Sequence, residues 1–304
     1  VDDRTPLKPG DTLYLSNDTY TITRLLAKGG TSLIYEAERL YCDRENNPKS
    51  CFNKKVLLKE LAPLSVRFTR NASGELVFMD ADVSALKLLF ENEIETLAVI
   101  QTKNTQSNRI PDMDSYGEYN NTVYIAMNHI KGELLSEYLG NKRMTDLEIR
   151  DLFTQMVRVV GFLHGIDGDY CHLDLKPNNF IVDALGSVYL FDFGSSIIED
   201  GTWINNYTED YSAPEVVYNM LELVGQRSDV YSLGAILYEM VTGERASMDR
   251  FLLCGGRYCG ESRCERYDYN TLLGRMLTED AALRFQTAGE LVAALEDFFG
   301  SPRG

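Results

Sequence analysis

Within the segment CHLDLKPNNF stand a carboxylate, a lysine and an asparagine, Asp174, Lys176 and Asn179, close enough along the chain to share one loop. That loop runs directly into the apolar run FIV. A carboxylate at Asp174 can orient an attacking hydroxyl and accept its proton, and Lys176 can neutralise a group that carries negative charge as it moves. Asn179 offers a neutral oxygen to a hard cation. Further on, FDFG contributes a second carboxylate, Asp192. Two oxygen ligands completed by phosphate oxygens suit Mg²⁺. Upstream, Lys59 ends the apolar run VLLK, where a cation leaving a strand can hold phosphate oxygens. Glu93 is its expected partner, because a charge removed from water is costly unless paired. Earlier still, LLAKGGTSLIYEA sets small residues between two strand-like runs, so that backbone N–H groups can approach phosphate oxygens with no Cβ in the way.

These residues need elements to hold them. Tyr20 to Leu26, Leu33 to Glu38, Val56 to Lys59 and Val123 to Met127 alternate or are β-rich, which predicts an antiparallel sheet. The polar stretch at 39–55 reads as a long hairpin insertion on the surface. From Val83 onward, Leu86, Phe90, Glu93, Leu97 and Ile100 recur at helical spacing, so one helix interrupts the strands and carries Glu93 along its apolar stripe. After Gly132 the pattern turns helical. Thr145 with Glu148 forms a capping box ahead of LFTQMVRVVGFLH, Ser228 precedes DVYSLGAILYEMV, and Thr287 with Glu290 opens a last helix. FIV and VYLF flank DALGS as a small hairpin with loops at both ends.

Taken together, the order and spacing of these motifs resemble the eukaryotic-type protein kinase superfamily, most closely its bacterial serine/threonine members, from Tyr20 to about Phe299. The resemblance implies an α+β bilobal fold. A small sheet lobe with one helix spans residues 1–130, a larger mainly helical lobe spans 131–304, and ATP lies in a cleft between them. It implies Lys59 as the nucleotide lysine with Glu93 its helix partner, Asp174 as catalytic base, and Asn179 and Asp192 as Mg²⁺ ligands. Nucleotide contacts are implied at Ala27, Gly29, Gly30, Ser32 and Ile34, with Met127 as gatekeeper and Asn128 to Ile130, His129 included, as the hinge. SAPE ending at Glu215 closes an activation segment; Arg284 pairs with that glutamate and Asp229 braces the catalytic loop. Lys176 and Thr208 mark the serine/threonine class, and Leu97, Tyr116, His172 and Phe193 are expected to form a packed spine. The implied partners are ATP and a protein substrate with a serine or threonine acceptor.

Four positions depart from the family pattern. Ala27 and Ser32 replace two glycines of the loop, Leu57 stands where a small alanine usually faces adenine, and Leu173 replaces the arginine that grips a phosphorylated activation segment. The last departure predicts activity independent of phosphorylation at Ser195, Ser196, Thr202 or Tyr207. The departures also motivate an alternative, a pseudokinase acting as a nucleotide-responsive binding module. Retention of Lys59, Glu93, Asp174, Lys176, Asn179 and Asp192 speaks for the enzyme. Phosphorylation of a small molecule is the weaker third reading, since kinase-like enzymes of that type lack the SAPE segment.

Composition narrows the setting. The chain has 304 residues and a formal net charge of −16, which disfavours a nucleic-acid or anionic-membrane footprint. No stretch approaches the length of a membrane span and no secretory signal opens the chain, so a cytoplasmic setting is expected, with this segment part of a larger protein. Six cysteines are too sparse for a disulfide scaffold, and Cys254, Cys259 and Cys264 lack the tight pairs of zinc sites, so free thiols are expected. The three histidines, His129, His164 and His172, are assigned structural places, and the single tryptophan, Trp203, falls in the activation segment.

Overall fold

The structure, a computed structural model, describes residues 2–42, 51–79, 84–103, 109–166, 170–194, 207–246 and 267–300. The chain forms two compact units, one of Val1–Thr102 with Pro111–Ile130, the other of Lys103–Ile110 with Lys131–Gly304.

In the first unit, β1 (Thr12–Leu15), β2 (Asp18–Lys28), β3 (Ser32–Cys42), β4 (Cys51–Leu61), β8 (Thr122–Asn128) and β7 (Met113–Tyr119) form one sheet in the order β1-β2-β3-β4-β8-β7. Every neighbouring pair is antiparallel. Strand side chains alternate between faces, and in β4 this sends Val56, Leu58 and Glu60 one way and Leu57 and Lys59 the other. The first face packs on Leu7, Leu13, Tyr20, Ile22, Leu33, Tyr35 and Tyr124. Its cover comes from the N-terminal segment and from a separate hairpin of β5 (Phe68–Arg70) and β6 (Leu76–Phe78), which contributes Leu76. At its centre Glu60 is fully buried, accepting from Tyr35 Oη at 2.7 Å, from Arg70 Nη2 at 2.7 Å and from Tyr124 Oη. These bonds offset the desolvation of the carboxylate. A helix, α1 (Ser84–Lys103), carries buried Phe90, Glu93, Leu97 and Ile100. Val83, the expected start of that helix, lies outside the described residues.

Across 39–55, β3 and β4 pair in antiparallel register out to Cys42 opposite Cys51; residues 43–50 lie outside the described residues. One expectation for this unit changes. Tyr116 is half exposed rather than packed in a spine. The β7–β8 pairing slips between Met113 and Ser115, and a one-residue slip turns the following side chains to the other face.

The second unit holds a three-stranded sheet in the order β11 (Val188–Leu190), β10 (Phe180–Asp183), β9 (Gly132–Leu134). The β10–β11 pair is the hairpin expected around DALGS, with Phe180 opposite Leu190. Gly132 begins the edge strand β9, and the helices follow it; a Cβ at Gly132 would stand 2.4 Å from Ile181 Cγ2, closer than any side chain tolerates. The helices are α2 (Leu135–Asn141), α3 (Asp146–His164), the short α4 (Pro214–Val217), α5 (Gln226–Thr242), α6 (Tyr269–Met276) and α7 (Ala288–Gly300). Thr145 and Glu148 make the expected capping box on α3. Thr287 Oγ1 accepts from Glu290 N at 3.1 Å ahead of α7. Ser228 does not precede α5 but sits inside its first turn, accepting from Gly225 N and donating to Glu215 Oε1 at 2.7 Å. Buried along nearly its whole length, α5 is the centre of this unit.

Candidate active site

The second unit assembles Asp174, Lys176 and Asn179 beside a tight backbone turn. Leu173 adopts a left-handed φ of 64° and is buried, a conformation that costs a side-chain-bearing residue about 1–2 kcal/mol. Asp229, wholly buried at the start of α5, holds the turn: its Oδ1 accepts from Leu173 N at 2.8 Å and its Oδ2 from His172 N at 2.7 Å. His164 Nε2 reaches the same Oδ2 at 2.9 Å, while His164 Nδ1 accepts from Ala288 N at 3.1 Å. With Nδ1 occupied as an acceptor, the imidazole proton sits on Nε2 and is donated to Asp229. His164 thus ties the end of α3 to α5 and to the start of α7. The sequence marks it only as a helix end, and no local signal announces three helices meeting there.

Next along the chain, Asp174 is buried with both oxygens engaged. Lys176 Nζ donates to Oδ2 at 2.5 Å and Thr208 Oγ1 to Oδ1 at 2.7 Å. Lys176 also donates to Thr208 Oγ1 at 2.9 Å, closing a triangle of base, lysine and hydroxyl. Thr208 is itself fixed by Ser212, whose hydroxyl accepts the Thr208 N–H at 3.2 Å. Ser212 lies in SAPE, but nothing in the sequence singles out its support of Thr208. Asn179 ends the short 3₁₀ turn Pro177–Asn179, and its Nδ2 donates to the Asp174 carbonyl at 2.9 Å. That bond commits the amide nitrogen to the loop and leaves the side-chain carbonyl oxygen, the donor type a hard cation selects, outside it.

Phe191 N donates to Asn179 O at 3.0 Å, keeping the strand end that carries Asp192 beside the loop. Asp192 also has a left-handed φ, 69°, so two residues of this small region hold backbone conformations that their side chains disfavour. Phe193 is buried, its ring centroid 5.4 Å from that of His172. Complete burial holds the His172 imidazole below its ordinary pKa of 6.5. Two oxygen-bearing residues next to the Asp174 turn fit Mg²⁺ bound to phosphate oxygens. Downstream, Glu215 receives Arg284 in a buried two-pronged pair at 2.6 and 3.0 Å. Trp203, Ser195, Ser196, Thr202 and the three clustered cysteines lie outside the described residues.

The first unit contributes a separate constellation. Lys59 Nζ, on β4, lies 2.6 Å from Glu93 Oε2 on α1, with the lysine side chain 3% and the glutamate 0% exposed. The ammonium also stands 5.3 Å from the Phe90 ring centroid. Opposite Lys59 in the sheet are Ile34 and Ile125; opposite Leu57 are Glu36 and Met127. Lys59, Leu57 and Ile34 therefore share one face of the sheet with Met127, near the turn Gly29–Ser32 that joins β2 to β3. Ala27, Gly29 and Gly30 are partly or fully exposed and Ser32 is buried. Asn128, at the end of β8, is anchored through its N–H to Asp112 O at 2.9 Å. His129 lies 3.6 Å from Glu36, and desolvation keeps its pKa below 6.5. Ile130 is half-buried at the end of this unit.

Comparison with known proteins gives the family and the fold. The family model described as "Protein kinase domain" matches residues 82–250. A putative serine/threonine-protein kinase of Mycoplasma pneumoniae is 26% identical over 273 residues, covering 78% of this chain and 64% of the relative. Serine/threonine-protein kinase PrkC of Bacillus subtilis is 27% identical over 230 residues, covering 74% of this chain and 30% of the relative. CBL-interacting protein kinase 12 of Oryza sativa is 26% identical over 285 residues, 90% of this chain and 46% of the relative. The chain thus spans less than two thirds of the length of these relatives. A solved structure described as "PpkA-294 apo form" superposes with a TM-score of 0.71 at 19% identity, covering 95% of this chain and 99% of the other, which establishes the shared fold.

Proposed function

The chain belongs to the protein kinase family, and from that premise we propose that it transfers the γ-phosphoryl group of ATP, with Mg²⁺, to serine and threonine hydroxyls of protein substrates. The observation that carries this reading is the triangle of Asp174, Lys176 and Thr208, with its sides of 2.5, 2.7 and 2.9 Å. Two hydrogen bonds fix the rotation of the Asp174 carboxylate, so an incoming hydroxyl meets a pre-oriented acceptor for its proton. Lys176 brings a positive charge to the same point, suited to negative charge that develops on the transferring group. Thr208, bonded to both Asp174 and Lys176, borders the place proposed for the acceptor residue, which supports serine and threonine over the longer tyrosine.

Mg-ATP, when bound, supplies the transferable phosphoryl group and a metal charge that balances it. Asn179 and Asp192 are the proposed metal ligands. Lys59, steadied by Glu93, is proposed to hold phosphate oxygens, with the Gly29–Ser32 turn lying over them; Ala27, Ile34, Met127, Asn128 and Ile130 are proposed to receive the nucleoside. In this scheme residues 1–130 form the nucleotide-binding lobe and 131–304 the lobe that carries the catalytic loop and docks substrate. The proposed setting is the cytoplasm, where ATP and magnesium are at hand. Among the described residues, no helix is long and apolar enough to cross a membrane.

Transfer of labelled γ-phosphate in the presence of Mg²⁺ tests the proposal, comparing wild type with Asp174→Ala and following label on serine, threonine and tyrosine. Incorporation by wild type on serine and threonine, lost in the variant, is the expected result. Equal incorporation by both proteins would remove Asp174 from its role, and label on tyrosine alone would remove the specificity assignment.

A further inference from the structure

Arg4 lies ahead of β1, in a segment outside the motifs that carry the family resemblance, yet its side chain is only 4% exposed. All three guanidinium nitrogens are engaged. Nη1 donates to Ala62 O at 2.5 Å and Nη2 to Gly29 O at 2.7 Å, while Asp2 pairs with Nε and Nη2 at 2.5 to 3.1 Å. The bonds from Arg4 hold the Asp2 carboxyl well below the usual carboxylate range. From the other side Lys28, at the end of β2, donates to the Arg4 carbonyl at 2.8 Å. A buried cation thus links the turn between β2 and β3 to the chain just beyond Lys59.

The neighbouring bonds give this link a direction. Three successive carbonyls of the turn are occupied: Gly29 O by Arg4, Gly30 O by Leu64 N at 2.8 Å, and Thr31 O by Ala62 N at 3.0 Å. All three donors belong to one patch, residues 62–64 and the arginine that also grips Ala62. Every peptide here is trans, and in a planar trans peptide the N–H of the next residue points opposite to the carbonyl. Tying these carbonyls toward the patch therefore turns the N–H groups of Gly30, Thr31 and Ser32 away from it. Successive N–H groups presented on one side form a receptor for anionic oxygen.

We infer that Arg4 is a positioning residue for the Gly29–Ser32 turn, setting the orientation of its N–H groups toward nucleotide phosphate through the Gly29 carbonyl without touching the nucleotide. The inference rests on the reading of this turn as the phosphate loop of the proposed kinase. It also offers a reason why a loop with Ala27 and Ser32 in place of two family glycines serves that purpose, since an external clamp sets the conformation that glycine freedom would otherwise permit. The competing account, that Arg4 merely fastens the N-terminal segment to the sheet, is separable, because Leu7 and Leu13 fasten the same segment from the buried face.

The test uses the whole chain as wild type, Arg4→Ala, Arg4→Lys and Leu7→Ala. Amide exchange in the nucleotide-free protein is read together with KM for ATP, kcat and the melting temperature. Loss of a charge-assisted bond predicts that Arg4→Ala speeds exchange of the amides bonded at the turn, Gly29, Ala62 and Leu64, and raises KM for ATP, each by about tenfold, with kcat within about twofold of wild type. Arg4→Lys, which can reach one carbonyl but not both, recovers part of each effect. Leu7→Ala lowers the melting temperature and leaves KM in place. Unchanged turn exchange and KM in Arg4→Ala would overturn the inference, as would a Leu7→Ala variant that reproduces the KM rise. Should the wild type transfer no phosphate, the kinase reading falls, and the exchange measurement alone decides whether Arg4 orders the turn.

Discussion

Asp229→Asn removes one oxygen and no volume from the brace beneath the catalytic loop, and the geometry fixes which bond is lost. The carboxylate faces three donors: Leu173 N–H at Oδ1, and His172 N–H with His164 Nε2–H at Oδ2. An asparagine must point its NH₂ at one of the two sites. Facing the histidines, it would meet two donors; facing Leu173, it meets one. The second orientation is the lesser loss, so the Leu173 N–H is the group left buried without an acceptor. His164 cannot relieve the conflict by moving its proton, because Nδ1 already accepts from Ala288 N. One buried N–H left unsatisfied, and two charge-assisted bonds reduced to neutral ones, destabilise the fold by about 3–4 kcal/mol. For a unit of this size that lowers the melting temperature by about 10 °C.

The damage also falls on function, because Leu173 already carries the strain of its left-handed backbone. Without its acceptor the turn relaxes, and Asp174, the next residue, moves with it. Misplacement by about 1 Å is enough for a hundredfold loss of kcat. Thermal unfolding, kcat measured well below the new midpoint, and amide exchange at His172 and Leu173 together form the assay. A variant that melts within about 2 °C of wild type, with protection of those two amides intact, would refute the reasoning.

The same brace shows why some of the site is readable from sequence and some is not. Asp174, Lys176 and Asn179 are close along the chain and act through side chains, so residue type and spacing announce them. Lys59 and Glu93 are legible as a pair for a different reason: each is a charge inside an apolar pattern, and burial demands a partner. Strand interiors such as Val56 to Lys59 emerge from alternation, but the strands run on to Cys42 and Cys51, where pairing carries the register past the apolar stretch. Tyr116 takes its expected place from the resemblance, which carries no register, and the irregularity between Met113 and Ser115 decides which face of the sheet it takes. The reach of Arg4 to the turn leaves no trace, since besides Asp2 its partners are the Gly29 and Ala62 carbonyls, and any residue has a carbonyl. Glu60 is hidden by proximity to Lys59; only the sheet register reveals that adjacent charges face opposite sides, one toward Glu93 and the other toward Tyr35, Tyr124 and Arg70.

Two further outcomes are expected. Buried Leu173 cannot clasp a phosphate, so treatment with phosphatase is expected to leave turnover within about twofold of the untreated enzyme, and a collapse of activity would contradict that assignment. Glu148 supplies a pH-dependent contribution whose sign is set by its partners. Its hydrogen bonds with Lys142 and with the Thr145 cap hold its pKa at about 2 against an ordinary 4.5. A carboxyl with a depressed folded pKa stabilises the fold above its unfolded pKa, and that stabilisation fades as pH falls from about 4.5 toward 2. Glu148→Gln keeps the shape of the capping box but cannot ionise. Wild type is therefore expected to melt above the variant at neutral pH, with the gap shrinking as the pH is lowered through that window. A gap that stays constant down to the lowest pH at which both proteins fold would show that the charge on Glu148 contributes nothing to the start of α3.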